Sequence, residues 1–173
     1  MPFSYCLNTS TIRSDGATIL DMIDTTADAG YDGIEPWVAE LDAWVDGGGT
    51  LAQVKARADE RGLSIVNLIG FPEWAVPEDD RRAKGFEEAA RCFQIARDLG
   101  CPCVAAPPFG IHDRNVDLLP VTERFAELVD LAAAGKVKSH IGRVAKLSEL
   151  PQVFDDLEAA RYVGRAVITD LGS

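Results

Sequence analysis

The sequence predicts an α/β fold in which strand-helix units build a parallel sheet flanked by helices, followed by a strand-helix-strand tail. Three observations predict it. Short apolar runs alternate with amphipathic stretches, the amphipathic stretches end at glycines, and the repeat is about thirty residues, the size of one parallel β/α unit. Four such units can be placed before Gly135, and a strand-helix-strand pattern follows them.

The four predicted strands are short apolar runs bounded by turn residues, and they occupy residues 3–7, 33–37, 64–69 and 103–107. The third run is apolar without strict alternation, which suits a parallel strand covered on both faces. Amphipathic spacing predicts the helices, which lie around Ile23, after Thr50, at 78–99 and at 121–134. Thr50 and Gln53 form a capping-box pattern, and this pattern marks where the second helix begins.

The spacing of strand and helix patterns changes after Gly135. Residues 138–147 are predicted to be extended, and Ser148 is predicted to cap a short helix with Pro151 in its first turn. Residues 163–168 are predicted to form a last strand. The tail therefore supplies a strand, a helix and a strand of its own.

Length and charge distribution suggest how the chain is organised. A complete eight-unit barrel needs about 250 residues, whereas this chain has 173 residues. Most of the net negative charge lies before residue 125. We therefore predict a TIM-barrel-like half barrel at 1–124 and a second segment at 125–173, which packs on the first as one compact unit.

Composition also limits the partners. The formal net charge is −11, which opposes binding to a phosphate backbone and excludes nucleic acid as a partner. No stretch approaches the roughly 18 apolar residues of a membrane span, and the N-terminus lacks a basic region followed by an apolar run. We expect a cytoplasmic protein without a membrane partner. Because a half barrel has open sheet edges, a homo-oligomer is one expected way to cover them.

Five motifs of the first segment carry a family resemblance, because they occur in order and each lies at a predicted strand end, in the following loop or at a helix start. They are Pro2-Phe-Ser-Tyr-Cys-Leu-Asn-Thr-Ser-Thr-Ile12, Gly30-Tyr-Asp-Gly-Ile-Glu-Pro-Trp37, Ile69-Gly-Phe-Pro-Glu-Trp74, Arg81-Arg-Ala-Lys-Gly85 and Ala105-Ala-Pro-Pro108. Together they resemble the sugar phosphate isomerase/epimerase family, the xylose isomerase-like TIM barrels. The resemblance implies an isomerase or epimerase that acts on a small sugar or sugar phosphate.

Barrel active sites form at the carboxyl ends of the strands and in the loops behind them. Six residues of the motifs or the strand ends are therefore site candidates: Glu35 as the catalytic residue, and Asn8, Trp37, Asn67, Trp74 and Pro107 as substrate-binding residues. Glu35 ends an apolar strand and needs a partner there, because burying an unpaired carboxylate is costly. It could bind a sugar hydroxyl, act as a base, or simply pair with an arginine or with loop amides. The tryptophans could stack on a sugar or pack in the core.

The same resemblance implies a divalent metal in the parent family, held by Glu, Asp and His residues from the ends of strands five to eight. Those strands have no counterpart in the first segment, and His112 and Asp113 are neighbours on one loop. A metal site needs several donors from different strands. We therefore expect no cofactor and assign no metal ligand.

Four strings of the tail carry a second resemblance: the run from Phe125 to His140, Leu147-Ser-Glu-Leu-Pro, Leu157-Glu-Ala-Ala-Arg161 and Gly164-Arg-Ala-Val-Ile168. In this order and spacing they resemble the C-terminus of medium-chain, zinc-type alcohol dehydrogenases. In that family the segment contributes a strand, a helix and a final strand. The chain lacks both the G-x-G-x-x-G pattern after a strand and the zinc ligands of that family, so NAD(P) binding is not expected and His140 is interpreted as structural.

Three functions stay open from the sequence. The first is an isomerase/epimerase-like protein that is truncated and lacks metal-dependent activity as a monomer. The second is a non-enzymatic chimeric or structural domain, and the third is a fragment of an alcohol dehydrogenase-like oxidoreductase. The joint near residue 125 indicates a chimera, natural or engineered, and whether the chain is an enzyme stays open because the metal-binding half of the barrel is missing.

Overall fold

The computed structural model describes residues 4–112, 117–134, 141–159, 161 and 165–170. The chain divides into two compact units, Met1–Lys138 and Ser139–Ser173. The first unit contains the strand-helix repeats, and the second contains the tail. The division of the chain at residue 125, and the packing of the tail on the half barrel, stay predictions.

Parallel strands form the centre of the first unit: β1 at Cys6–Asn8, β2 at Gly33–Glu35, β3 at Ser64–Ile65, β4 at Leu68–Ile69 and β5 at Val104–Ala105. Strands β1, β2 and β3 are neighbours in that order, and β4 pairs with β5. A parallel bridge joins Trp37, just after β2, to Ile69 in β4. The strands therefore follow one another in chain order, as consecutive β/α units place them.

Helices connect the strands and supply most of the buried core. They are α1 at Ile19–Asp28, α2 at Val38–Asp46, α3 at Leu51–Glu60, α4 at Asp79–Leu99 and α5 at Leu118–Ala134. The capping box of α3 is confirmed, because Thr50 Oγ1 accepts from Gln53 N at 3.2 Å and Gln53 Oε1 accepts from Thr50 N at 2.8 Å. One buried cluster joins helix and sheet, and its most enclosed members include Ile19, Ile23, Ile34, Leu41, Val54, Leu68 and Cys92.

The third predicted strand, residues 64–69, was wrong as a single element. It is two short strands, β3 and β4, separated by Val66 and Asn67. Backbone pairing explains the interruption, because β3 pairs with β2 whereas β4 pairs with β5. Val66 N still donates to Ile34 O at 3.1 Å, so the chain keeps its place beside β2 through the break.

Two helix predictions need correction. Helix α2 was missed, and it begins directly after Trp37, where Glu40 accepts a hydrogen bond from the Trp37 backbone N–H at 3.0 Å. Helix α5 begins at Leu118 instead of residue 121, because the Asp117 side chain accepts from Leu119 N at 3.0 Å and so ends the loop earlier.

The second unit has the predicted order of strand, helix and strand. Strand β6 spans Ile141–Lys146, α6 spans Leu150–Glu158 and β7 spans Arg165–Asp170, and the two strands are parallel. Ser148 does not cap the helix as predicted, because it lies within a 3₁₀ turn at Leu147–Glu149 that precedes α6. The predicted position of Pro151 in the first turn is confirmed.

The predicted fold class is confirmed, since parallel strands flanked by helices form a partial TIM barrel. The strands that the structure describes do not close a barrel. Across the described ranges, no helix combines the length and the apolar character that crossing a membrane would require.

Candidate functional site

Two amide side chains from neighbouring strands meet at the carboxylate of Glu35. Asn8 Nδ2 donates to Glu35 Oε2 at 2.6 Å, and Asn67 Nδ2 donates to Glu35 Oε1 at 2.6 Å. Asn8 and Glu35 are register partners at the ends of β1 and β2, whereas Asn67 lies in the break between β3 and β4. The sequence suggested an arginine or loop backbone amides as partners of Glu35. The partners are amides, but they belong to the side chains of Asn8 and Asn67.

The orientation of the Asn8 amide is fixed by two donors to its oxygen. Trp37 Nε1 donates to Asn8 Oδ1 at 3.0 Å, and Ser10 N donates to the same oxygen at 3.0 Å. An amide oxygen that accepts two hydrogen bonds leaves the NH₂ group pointing the other way, here toward Glu35. Trp37 therefore positions Asn8, and Asn8 in turn holds the carboxylate.

A second carboxylate, Glu40, connects the segment after β1 with the segment after β2 through hydrogen bonds. Its side chain is 9% exposed and accepts from Thr9 Oγ1 at 2.5 Å and from Trp37 N at 3.0 Å. Arg13 donates to its other oxygen through Nε at 3.0 Å and through an Nη nitrogen at 2.6 Å. Both oxygens of Glu40 are thus occupied, and this side chain supports the site without facing a ligand.

Arg13 and three aromatic rings extend the site along the strand ends. The Arg13 guanidinium lies 4.9 Å from the Trp37 ring centroid. The Trp37 and Phe71 centroids are 5.1 Å apart, and so are those of Phe71 and Phe109. Phe71 and Phe109 were missed from the sequence, although each lies in a loop just after a strand end. Glu40 was missed too, although a Glu three residues after the N-cap, here Trp37, is a known cap signal.

Trp74 and Pro107 lie in a different environment from Glu35. Trp74 Nε1 donates to the Pro107 carbonyl oxygen at 3.1 Å, and the residue is 3% exposed. Trp74 belongs to a second buried cluster that also includes Phe93 and Leu128, and its ring lies 5.5 Å from that of the more exposed Phe125. Of the two readings considered for Trp74, packing in the core is the one that its burial supports.

An ion pair braces the loop that holds Trp74. Arg81 donates to Glu73 at 3.1 Å and 2.6 Å, and these hydrogen bonds lower the pKa of Glu73, with a smaller contribution from His112. Gly110 has a φ of +84°, and a Cβ at that position would lie 2.8 Å from Glu73 Oε1. Glycine at 110 therefore allows the loop after β5 to approach the Glu73 side chain closely.

A divalent metal of the parent family does not fit the described residues. Among them, no three His, Cys, Asp or Glu side chains are placed to hold one ion. The hydrogen-bond partners of Glu35 are two side-chain amides, and those of Glu40 are a hydroxyl, a backbone N–H and a guanidinium, so in the described part of the chain neither carboxylate is joined to a second carboxylate, imidazole or thiolate that could share a metal ion. Asp113 and His140 lie outside the described residues, and we derive no reaction step through a metal.

The sequence profile of the xylose isomerase-like TIM barrel matches residues 23–141. The chain belongs to the xylose isomerase-like TIM barrel family. This confirms the family that the motifs of the first segment resemble. No curated protein matches the chain.

Solved structures of this fold superimpose on the chain at low sequence identity. Protein SMc04130 from Sinorhizobium meliloti 1021 is 20% identical with a TM-score of 0.66, over 95% of this chain and 62% of that one. The probable 3-DHS dehydratase AsbF from Bacillus anthracis is 15% identical with a TM-score of 0.68, over 96% and 62%. The IOLI protein with a bound zinc atom is 15% identical with a TM-score of 0.67, also over 96% and 62%.

Other similar structures are sugar epimerases, among them a D-psicose 3-epimerase in the presence of D-fructose, with 18% identity and a TM-score of 0.61. The superposition covers 84% of this chain and 53% of the epimerase. The chain thus spans less than two thirds of the length of the structures it matches.

These comparisons do not support the alcohol dehydrogenase resemblance of residues 125–173. A coverage of 95% leaves about nine residues of the chain outside the superposition, so the aligned region reaches into the second unit.

Proposed function

We propose that the first unit binds a small polyhydroxy compound, a sugar or a sugar derivative, at the ends of β1, β2 and β3. The observation that carries this proposal is the Glu35 carboxylate, held by Asn8 and Asn67 at 2.6 Å each. A carboxylate has about four acceptor positions, so two amide donors leave room for hydroxyl groups. Family membership supports the same chemistry, because several structurally similar proteins are sugar epimerases.

Glu35 acts in this proposal as an acceptor that orients hydroxyls, and as a base only when further groups complete the site. Its partners Asn8, Asn67 and Trp37 contribute N–H donors and no second titrating group. Isomerisation or epimerisation needs groups that move a proton on and off carbon. We therefore propose that the chain, as a monomer, binds the compound without metal-dependent turnover.

Binding and turnover can be tested separately. D-fructose and D-psicose are titrated into the chain by isothermal calorimetry, and their interconversion is followed with and without Mn²⁺. The proposal expects saturable binding that weakens about tenfold or more in Glu35→Gln, because one acceptor oxygen becomes a donor. Glu87→Gln, an exposed carboxyl change on α4, is the control and should bind as the parent does. Unchanged affinity in Glu35→Gln, or Mn²⁺-dependent interconversion, contradicts the proposal.

We also propose that residues 125–173 are an alcohol dehydrogenase-derived segment without a nicotinamide site. The strings Leu147-Ser-Glu-Leu-Pro and Gly164-Arg-Ala-Val-Ile168 support this origin, and the order of β6, α6 and β7 is compatible with it but also with a β/α unit of a barrel. The missing glycine fingerprint supports the absence of a nicotinamide site. NADH fluorescence measures this directly. If the chain enhanced NADH fluorescence saturably at micromolar NADH, the result would favour the oxidoreductase alternative.

A further inference from the structure

The aromatic row of Trp37, Phe71 and Phe109 is the feature of the site that the proposed function leaves unexplained. The three rings follow β2, β4 and β5, and neighbouring centroids are 5.1 Å apart. Phe71 is 39% exposed and Phe109 is 46% exposed. Neither phenylalanine belongs to the two buried clusters of the first unit. The row is therefore an apolar surface that faces solvent at the strand ends.

Exposed aromatic rings at this edge are best explained by a ligand. Large apolar side chains are normally buried, and contiguous exposed ones mark surfaces that bind something. This row is joined to the polar group, since the Trp37 indole bonds Asn8 and Asn8 bonds Glu35. An apolar wall and a hydrogen-bonding carboxylate thus lie side by side, which is typical of small-molecule sites.

The charges of the site disfavour a phosphorylated ligand. In the described parts of the strand-end loops, Arg13 and His112 are the basic side chains. Arg13 already donates twice to Glu40 and lies over Trp37. Phosphate recognition needs arginine or lysine donors that are available to the phosphate, whereas Arg13 is already paired with Glu40. The polar groups joined to the Trp37 indole through hydrogen bonds are a side-chain amide and the Glu35 carboxylate.

We infer that the site takes a neutral, ring-shaped polyhydroxy compound, a pyranose or a cyclitol, in preference to an open-chain or phosphorylated sugar. This inference rests on the proposed function. The flat C–H face of the ring lies against Phe71 and Phe109, and hydroxyls on its edge donate to Glu35. An open chain offers the same hydroxyls but no flat face, so it gains from Glu35 and much less from the aromatic row.

The test compares matched probes on the full chain by calorimetry or chemical-shift titration. Methyl β-D-glucopyranoside and myo-inositol are the rings, sorbitol is the open chain, and glucose 6-phosphate is the charged probe. The rings are expected to bind about tenfold more tightly than sorbitol, the size of effect that aromatic contacts produce. Phe71→Leu and Phe109→Leu should reduce that ratio to below about threefold while sorbitol affinity stays unchanged.

Phe154→Leu is the matched control, because Phe154 is an exposed phenylalanine of α6 in the second unit. It should leave the ratio unchanged. Equal affinity for rings and sorbitol, with both lost in Glu35→Gln, overturns the ring preference and leaves the proposed function intact. Tighter binding of glucose 6-phosphate overturns the preference for a neutral ligand. Failure of every probe to bind contradicts the proposed function as well as the inference.

Discussion

Two tryptophans follow parallel strands in this chain, and their surroundings differ. Trp37 is half-buried and gives its indole N–H to the side chain of Asn8, which holds Glu35. Trp74 is 3% exposed and gives its N–H to the backbone carbonyl of Pro107. The first indole arranges polar side chains at the open end of the sheet, whereas the second closes a loop over the core.

The difference shows which properties separate a candidate site residue from a packing residue. Both indoles are satisfied, so a hydrogen bond by itself does not distinguish them. The two tryptophans differ in exposure and in the partner of the indole N–H. Trp37 is half-buried and bonds the Asn8 side chain, whereas Trp74 is buried and bonds a backbone carbonyl. The following predictions test this contrast in order of decreasing effect.

Replacing each tryptophan by alanine should separate the two roles most clearly. Trp74→Ala removes a buried ring and leaves the Pro107 carbonyl without its donor, so we expect a loss of about 3–5 kcal/mol in unfolding free energy. Trp37→Ala should cost less stability but weaken ligand binding, because Trp37 is only half-buried. Urea unfolding and calorimetry measure the two quantities. Equal losses of stability would show that the two regions do not differ as described.

Gly85 tests how closely the loop around Trp74 is packed. A Cβ at this position would lie 2.5 Å from the carbonyl carbon of Glu73 and 2.8 Å from Trp74 N. Gly85→Ala should therefore lower stability by about 1–3 kcal/mol, although alanine is the better helix former. Lys84→Ala, at the exposed neighbouring position, is expected to change stability by less than about 0.5 kcal/mol. A stabilised Gly85→Ala variant would argue against close packing here.

Glu35 tests the polar region in the same way. Glu35→Leu leaves the Asn8 and Asn67 amides without their acceptor in a partly buried position, which should cost about 1–3 kcal/mol. Combining it with Asn67→Leu should recover part of that loss, because one unsatisfied amide is then removed. A double-mutant cycle by urea unfolding measures the coupling. Strictly additive losses would mean that the two side chains act independently.

The smallest expected effect is a change in acid stability at Glu73. Hydrogen bonds from Arg81 lower the pKa of Glu73 below its ordinary value of 4.5. A carboxyl whose pKa is lower in the folded state contributes stability above the unfolded value, and that contribution is lost as the pH falls through the folded value. Glu73→Gln should therefore flatten the fall in melting temperature below about pH 4.5. Glu87→Gln serves as the control, and an unchanged acid limb in Glu73→Gln would argue against the ion pair.

The convergence of Asn8 and Glu35 could be anticipated from the sequence. The carboxyl ends of neighbouring parallel strands meet at one edge, so the topology places polar residues at strand ends together. Asn8 and Glu35 follow this rule, whereas Asn67 lies at a break in the third strand that was not predicted. The bond from Trp37 to Asn8 could not be anticipated, because it depends on where α2 starts. That start depends on Glu40, which also bonds Thr9 from another loop.

The burial of Trp74 could not be predicted from the sequence either. A Gly-Phe-Pro-Glu-Trp loop after a strand gives no sign of which aromatic turns inward. The direction is set by α4, where Gly85 lets the helix approach the backbone at Glu73 and Trp74. Such a contact between distant residues leaves no local signal, and Phe71 rather than Trp74 stays exposed as a result.

The bonds from Asn8 and Asn67 to Glu35 also bear on how the sheet assembles. A slip of one residue between parallel strands turns every side chain to the opposite face, so a misaligned β1 or β2 would separate Asn8 from Glu35 and leave the carboxylate unpaired. The hydrogen bonds among Asn8, Glu35 and Asn67 therefore favour the native register over a shifted one. A ligand that contacts Glu35 would bind only the correctly aligned sheet and stabilise it by mass action, which makes a candidate ligand also a folding aid for this chain.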